Sequence, residues 1–347
     1  MEQVLAATTV ATGTQVLSPG AVTVENGRIL AVSDVVPDGA PVRDGYLVPG
    51  FVDIHTHGGG GASVVGADQE SVAAFVRAHR RHGTTTIGAS LVSAHPEALL
   101  RDVCALAELV EDGLIAGTHL EGPWIAPQMK GAHDPTTLRP PSPDEVDAVL
   151  AAARGTVHMV TLAPELEHGM DAVRRIAAAG ALPAIGHTDA DWETTRAAID
   201  AGGSVATHLF NQMRPIHHRR PGPIPALMAD PRMHVELIAD GIHVHPAVIA
   251  MVRHAVPVDR IVLVTDAMAA AGQADGEYML GDLAVTVSDG VARLVEGGAL
   301  AGSTLTMDKA FRLVVQHGGF SVADAVLASA VTPARLMGRD DIGAIAV

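Results

Sequence analysis

From about residue 50 to residue 335, short apolar runs alternate with longer Ala-rich stretches of helical periodicity. Apolar strands that each lead into a helix are the building unit of a parallel sheet buried on both faces. The pattern predicts strands at 50–55, 85–91, 115–120, 158–162, 182–185, 204–207, 235–239 and 261–265. Helices are expected between them, among others at 69–82, 96–111, 143–153, 171–179, 191–201, 246–254 and 306–317. Eight strand–helix units over this length describe an α/β chain folded as a (β/α)8 TIM-like barrel. An open doubly wound sheet is the competitor, but it asks for a Gly-rich nucleotide turn after its first strand. The glycine run at 58–61 follows His-Thr-His and has neither that spacing nor a helix start.

The first fifty residues read as all-β. Two alternating strands within 21–32 flank Asn26-Gly27, a strong short-range signal for a hairpin. A second such signal, Asp289-Gly290 between 283–287 and 291–294, interrupts the last barrel unit. The expected organisation is a small N-terminal β-sandwich domain over 1–50, a catalytic barrel over 51–335, and a segment at 336–347 returning toward the β domain.

The formal charge of −16 argues against a nucleic-acid partner, which would call for a basic face. It leaves room for a small anionic ligand in a local pocket. Cys104 is the only cysteine, which rules out an intrachain disulfide and a cysteine-rich zinc site. Its place in the apolar helical stretch 103–110 suggests a buried, inert thiol. Neither a leader-like N-terminus nor an uncharged apolar run long enough to span a membrane is evident, so the expected location is cytoplasmic.

The chain carries 18 histidines, and their placement is informative. Catalytic residues of such a barrel come from the C-terminal ends of its strands. Polar residues sit at those ends in His55-Thr56-His57, His119-Leu120-Glu121, Gly186-His187, Thr207-His208, Asp240-Gly241-Ile242-His243 and Thr265-Asp266. His55 and His57, two apart on a strand, point to the same side and can face one metal. Imidazole and carboxylate suit Zn or Fe, and a catalytic site keeps one position open. His-x-His alone is weak; four His, one Glu and one Asp (His55, His57, His187, His208, Glu121 and Asp266) at five strand ends are not. By contrast, His79, His82, His95, His168, His254 and His317 fall on helices or loops and read as solvated or capping residues. His217 and His218 precede Arg219-Arg220 in a Gly/Pro-rich loop.

Taken together, these segments resemble the N-acetylglucosamine-6-phosphate deacetylases of the amidohydrolase superfamily. The resemblance runs in order along essentially the whole chain, through Pro-Gly-Phe-Val-Asp-Ile-His-Thr-His (49–57), His-Leu-Glu-Gly-Pro-Trp (119–124) and Lys-Gly-Ala-His (130–133). It continues through Gly-His-Thr-Asp-Ala (186–190), Thr-His-Leu-Phe-Asn (207–211), Ala-Asp-Gly-Ile-His-Val-His-Pro (239–246) and Leu-Val-Thr-Asp-Ala-Met (263–268). The resemblance implies a metal-dependent amidohydrolase barrel holding one or two divalent ions (Zn, Fe, Mn or Co). Glu121, His187 and His208 match its main metal site, and His55 and His57 match a second site that some members keep. Asp266 matches the general base and acid. His243 matches a residue that polarises the carbonyl and contacts the sugar, as His133 also does. Asn211, Gln212 and Arg219 match the phosphate site, with Arg219 supplied by the partner subunit of a homodimer. The lysine that bridges two metals in many other amidohydrolases has no counterpart in 159–162.

Two departures stand out: Gln212 replaces a residue that is often small, and the strands that usually complete the sandwich after the barrel are not seen. The implied reaction is removal of the acetyl group from N-acetylglucosamine 6-phosphate. A deacetylase of N-acetylgalactosamine 6-phosphate or another N-acyl amino sugar is the near alternative. More distant ones are a dihydroorotase-like or dipeptidase enzyme and a metal-free scaffold.

Overall fold

In the computed structural model, which describes residues 2–66 and 68–347, eight strands form one parallel sheet. In order they are Phe51–Asp53, Thr84–Leu91, Gly117–Glu121, Val157–Leu162, Leu182–Ile185, Val205–Ala206, His234–Ile238 and Ile261–Val264. Each pairs in parallel with the next. Helices such as Gln69–Arg80, Pro96–Glu111 and Gly169–Ala178 fill the returns and bury one face against the sheet. Polar caps set several of their starts: the Asp68 carboxylate accepts from Ser71 N, and that of Asp191 from Thr194 N.

Between the first and last strands the described residues show no ladder, and a buried side chain spans the seam. Asp53 Oδ2 accepts from Thr265 Oγ1 at 2.5 Å, and its Oδ1 from Thr265 N at 3.3 Å. Just beyond, Asp266 N donates to His55 O at 2.9 Å and His57 N to Ala267 O at 2.7 Å. The sheet thereby closes into the expected barrel. Two glycines make room at its base: a Cβ on Gly88 or Gly117 would lie 2.8 Å from the His158 ring. That imidazole fills the space between them and donates from Nε2 to Ile54 O at 3.0 Å.

The N-terminal unit is a five-stranded sheet in which Glu2–Ala11 pairs antiparallel with Val16–Leu17 and Gly20–Glu25, and parallel with Val42–Leu47. The hairpin expected at Asn26-Gly27 is present: both residues take positive φ, 51° and 77°, and Glu25 faces Arg28. Ile345 N donates to Thr12 O at 2.9 Å. The second hairpin belongs to a three-stranded sheet of Gly276–Leu280, Leu283–Ser288 and Val291–Leu294. Its Leu280, Val285 and Leu294 pack with Val92 and Met268 near the barrel mouth.

Two expectations are corrected. His79 is neither solvated nor capping: it is buried on the inner face of its helix and donates from Nε2 to Gly58 O at 2.9 Å. Burial lowers its pKa to about 4, which keeps it neutral. Cys104 is only half-buried, because its position falls at the flank of the helix stripe that Leu99, Val103 and Leu106 bury. No helix among the described residues is long and apolar enough to cross a membrane.

Candidate metal centre

His55, His57, Glu121, His187, His208 and Asp266 all converge at the C-terminal mouth of the barrel, and each is buried. Three of them stand on unusual backbone. His187, His208 and Asp266 have φ of 47°, 26° and 47°, a region that non-glycine residues seldom occupy. Each strand therefore ends in a sharp turn that directs the side chain into the mouth.

The carboxylate of Glu121 stands at the centre, with its two oxygens serving different neighbours. Oε1 lies 2.9 Å from His208 Nε2 and 3.1 Å from His187 Nε2. Oε2 lies 3.2 Å from His57 Nε2, which is itself 3.2 Å from Asp266 Oδ1 and 3.3 Å from His55 Nε2. The tautomers decide what these distances mean. His57 Nδ1 donates to Ser90 O at 3.0 Å, His187 Nδ1 to Met129 O at 2.7 Å, and His55 Nδ1 to Glu236 Oε2 at 3.1 Å. With one proton committed to Nδ1, each Nε2 is left to share a second cation, a proton or a metal ion, with carboxylate oxygens that carry only lone pairs. Such a cluster calls for a cation between its members. Outer acceptors that orient ring nitrogens in this way are the usual support of metal-bound histidine. The donor set fits a divalent ion at His55, His57, Glu121 and Asp266, and another at Glu121, His187 and His208.

Proton affinities report the same field. Burial opposes charge on His57, but Asp266 and Glu121 outweigh it and push its pKa up to about 9. His55 is likewise raised well above the usual range by Glu236, Glu121 and Asp266, against its burial. Burial alone would raise Asp266 and Glu121, yet His55 and the other imidazoles hold both below the ordinary carboxylate range. His187, where burial dominates, is lowered to about 4 and is neutral, as a ligand must be.

His133 also approaches, with Nε2 at 3.4 Å from Glu121 Oε2, but its tautomer is the opposite one. Ser93 N donates to its Nδ1 at 3.2 Å, so the proton rests on Nε2 and His133 is a hydrogen-bond donor. His243 is held by Asp240, whose Oδ2 accepts from Nδ1 at 2.6 Å while Oδ1 caps Ile242 N and His243 N. Asn211, Gln212, His133 and His243 line the same pocket as the convergent cluster. Gln212 has φ of 51° and packs on Gly131, where a Cβ would come 2.9 Å from its Cγ. Arg219 does not join them: it is exposed, and its guanidinium lies 2.8 Å from His218 Nε2.

Sequence reasoning missed Glu236, which is fully buried in the seventh strand. Its Oε2 accepts from both His55 Nδ1 and His208 N, and Oε1 has no partner among the described residues. The one available signal was a charged residue between Val235 and Leu237 in an otherwise apolar parallel strand. Also missed was a polar floor beneath the cluster. Ser90 Oγ, His119, Thr161 Oγ1 and Thr207 Oγ1 form a chain of contacts of 2.9, 2.8 and 2.8 Å across the barrel.

A model of the amidohydrolase family matches residues 46–347. The chain belongs to the amidohydrolase family. Within it, the chain is 37% identical over 321 residues to the N-acetylgalactosamine-6-phosphate deacetylase of Escherichia coli O157:H7, covering 90% of this chain and 84% of that one. It is 36% identical over 333 residues to the N-acetylglucosamine-6-phosphate deacetylase of Vibrio furnissii, covering 93% and 83%. Among solved amidohydrolases, it matches a mutant N-acetyl-D-glucosamine-6-phosphate deacetylase from Mycobacterium smegmatis in complex with N-acetyl-D-glucosamine-6-phosphate. That match has a TM-score of 0.94 at 47% identity, over 97% of this chain and 91% of the other.

Proposed function

We propose that this amidohydrolase removes the acetyl group of N-acetyl-D-glucosamine 6-phosphate, giving D-glucosamine 6-phosphate and acetate. The observation that carries the reading is the convergence of histidine Nε2 atoms on the Glu121 carboxylate, with the ionised Asp266 beside them, in a chain similar to deacetylases of that substrate. A divalent ion, Zn, Fe, Mn or Co, supplies Lewis acidity to the carbonyl and lowers the pKa of the attacking water. Glu121, His187 and His208 would hold the principal ion, and His55 and His57, next to Glu121, would hold a second one.

Asp266 is the general base: it accepts the proton of the attacking water at its carboxylate and then delivers it to the departing sugar nitrogen. His133 donates from Nε2 to the substrate, an assignment that its tautomer supports. His243, braced by Asp240, polarises the acetyl carbonyl and stabilises the developing oxyanion. Asn211 and Gln212 meet the sugar phosphate. Among the described residues no Lys or Arg lines this pocket, although the phosphate is anionic. That supports a homodimer in which the partner's copy of the exposed Arg219 loop completes the site.

A second reading, the N-acetylgalactosamine 6-phosphate epimer, is favoured by the 37% identity to an enzyme of that name. The test is kcat/KM for both epimers before chelation, after it, and after metal restoration. We expect metal-dependent turnover with preference for the gluco epimer. Activity in a preparation shown to hold no metal overturns the mechanism, and preference for the galacto epimer selects the second reading.

A further inference from the structure

Next to the catalytic pocket, which has a volume of about 80 Å³, lies a larger cavity of about 280 Å³. One wall separates them: Val92, Ala132, His133 and Leu280 line both. The wall begins beside the reacting centre, since His133 Nε2 is 3.4 Å from Glu121 Oε2. It is otherwise apolar, whereas Asn211, Gln212 and His243 line the catalytic pocket but not the cavity behind. An amide carbon held at the centre carries a sugar through its nitrogen and an alkyl group on the acyl side. The hydroxyls and phosphate of the sugar belong with the polar residues, which turns the alkyl group toward Val92, Ala132 and Leu280.

The position of this wall is fixed by a tight turn. Leu280 ends the strand Gly276–Leu280 and faces Leu283 across the two-residue loop Gly281-Asp282. Gly281 takes φ of 55° there, and a Cβ on it would lie 3.2 Å from Val92 Cγ2. The turn therefore presses Leu280 down beside Val92, and both are almost fully buried.

We propose that Val92 and Leu280 set the acyl-length limit of this enzyme, and that the cavity behind them is a latent site for neutral N-acyl chains longer than acetyl. This rests on the deacetylase reading above. The space is ample, given that one water-sized group needs about 10–15 Å³. The lining carries three carboxylates, Asp102, Asp134 and Asp282, against His95 and the single guanidinium of Arg101, which is taken up by Asp102 at 3.1 Å. That lining selects uncharged chains over carboxylate-ended ones.

The experiment compares N-acetyl-, N-butyryl- and N-succinyl-glucosamine 6-phosphate as substrates of the metal-loaded enzyme and its Val92→Ala, Leu280→Ala and double variants. In the unmodified enzyme, kcat/KM falls at least tenfold from acetyl to butyryl; equal use of the two overturns the wall without reference to any variant. In the trimmed variants the butyryl-to-acetyl ratio rises at least tenfold while the succinyl-to-acetyl ratio does not. A butyryl ratio within twofold of the parent, in a variant that still turns over the acetyl compound, overturns the proposal, as does an equal gain on succinyl. Loss of turnover on the acetyl compound by the parent enzyme would instead refute the deacetylase reading.

Discussion

Asp266 is buried and yet kept ionised by the imidazoles opposite it, the state a proton acceptor needs. Asn at this position keeps the shape and also tolerates positive φ, so Asp266→Asn should fold and bind substrate with kcat lowered about 10²- to 10⁴-fold. Single-turnover kinetics with metal content measured alongside is the check, and a kcat within a few-fold of the parent would place the base elsewhere. At this scale the sequence was legible wherever a residue's position in the mouth follows from its place on its own strand. His55, His57, Glu121, His187, His208 and Asp266 were all readable as polar ends of apolar runs. The tautomer that separates His133 from its neighbours depends on Ser93 N, forty residues away, and no periodicity carries it. Glu236 meets His55 across 181 positions of chain, a contact that exists only because the barrel closes. His79 was misread although it extends the buried stripe of Val72, Phe75 and Val76, because an imidazole is expected outside until its buried partner, here the Gly58 carbonyl, is known.

Strand and helix order was legible because both faces of each strand are covered, which leaves continuous apolar runs between amphipathic helices. The sixth strand was expected at 204–207 but pairs only over Val205–Ala206, since the chain turns at Thr207 and His208 to enter the mouth. The seam between first and last strands was not legible, because a side chain accomplishes it. Asp53 accepts from Thr265 Oγ1, Thr265 N and His55 N, and burial nevertheless raises its pKa to about 7. Asp53→Ala leaves those buried donors without a partner, a loss of about 1–3 kcal/mol for each group stranded. Urea unfolding should show a drop of that order for Asp53→Ala, with a smaller one for Asp53→Asn, which can still accept. Equal stability of the alanine variant and the parent would assign the closure to the backbone bonds alone.

For the whole molecule, the acidic surface and the anionic substrate stand in tension, and the Arg219 loop is where the proposal resolves it. Mixing Arg219→Ala with Asp266→Asn chains tests this directly. Each variant is expected to be impaired by itself: Arg219→Ala through a raised KM for the phosphorylated sugar, with about 1.5–3 kcal/mol lost from a hydrogen bond to a charged group. A mixed dimer holds one site with both residues intact, so activity should partly return on mixing. Verified subunit exchange without recovery would confine Arg219 to its own chain or remove it from the site.

The left-handed turns at His187, His208 and Asp266 set folding and reaction against each other. After glycine, the residue best suited to such backbone is Asn. A chain carrying Asn at all three positions would relax its strand ends and lose two imidazoles and a carboxylate from the mouth. Selection for thermal resistance alone would therefore drift toward an inert barrel, and only selection for turnover keeps the strained residues in place.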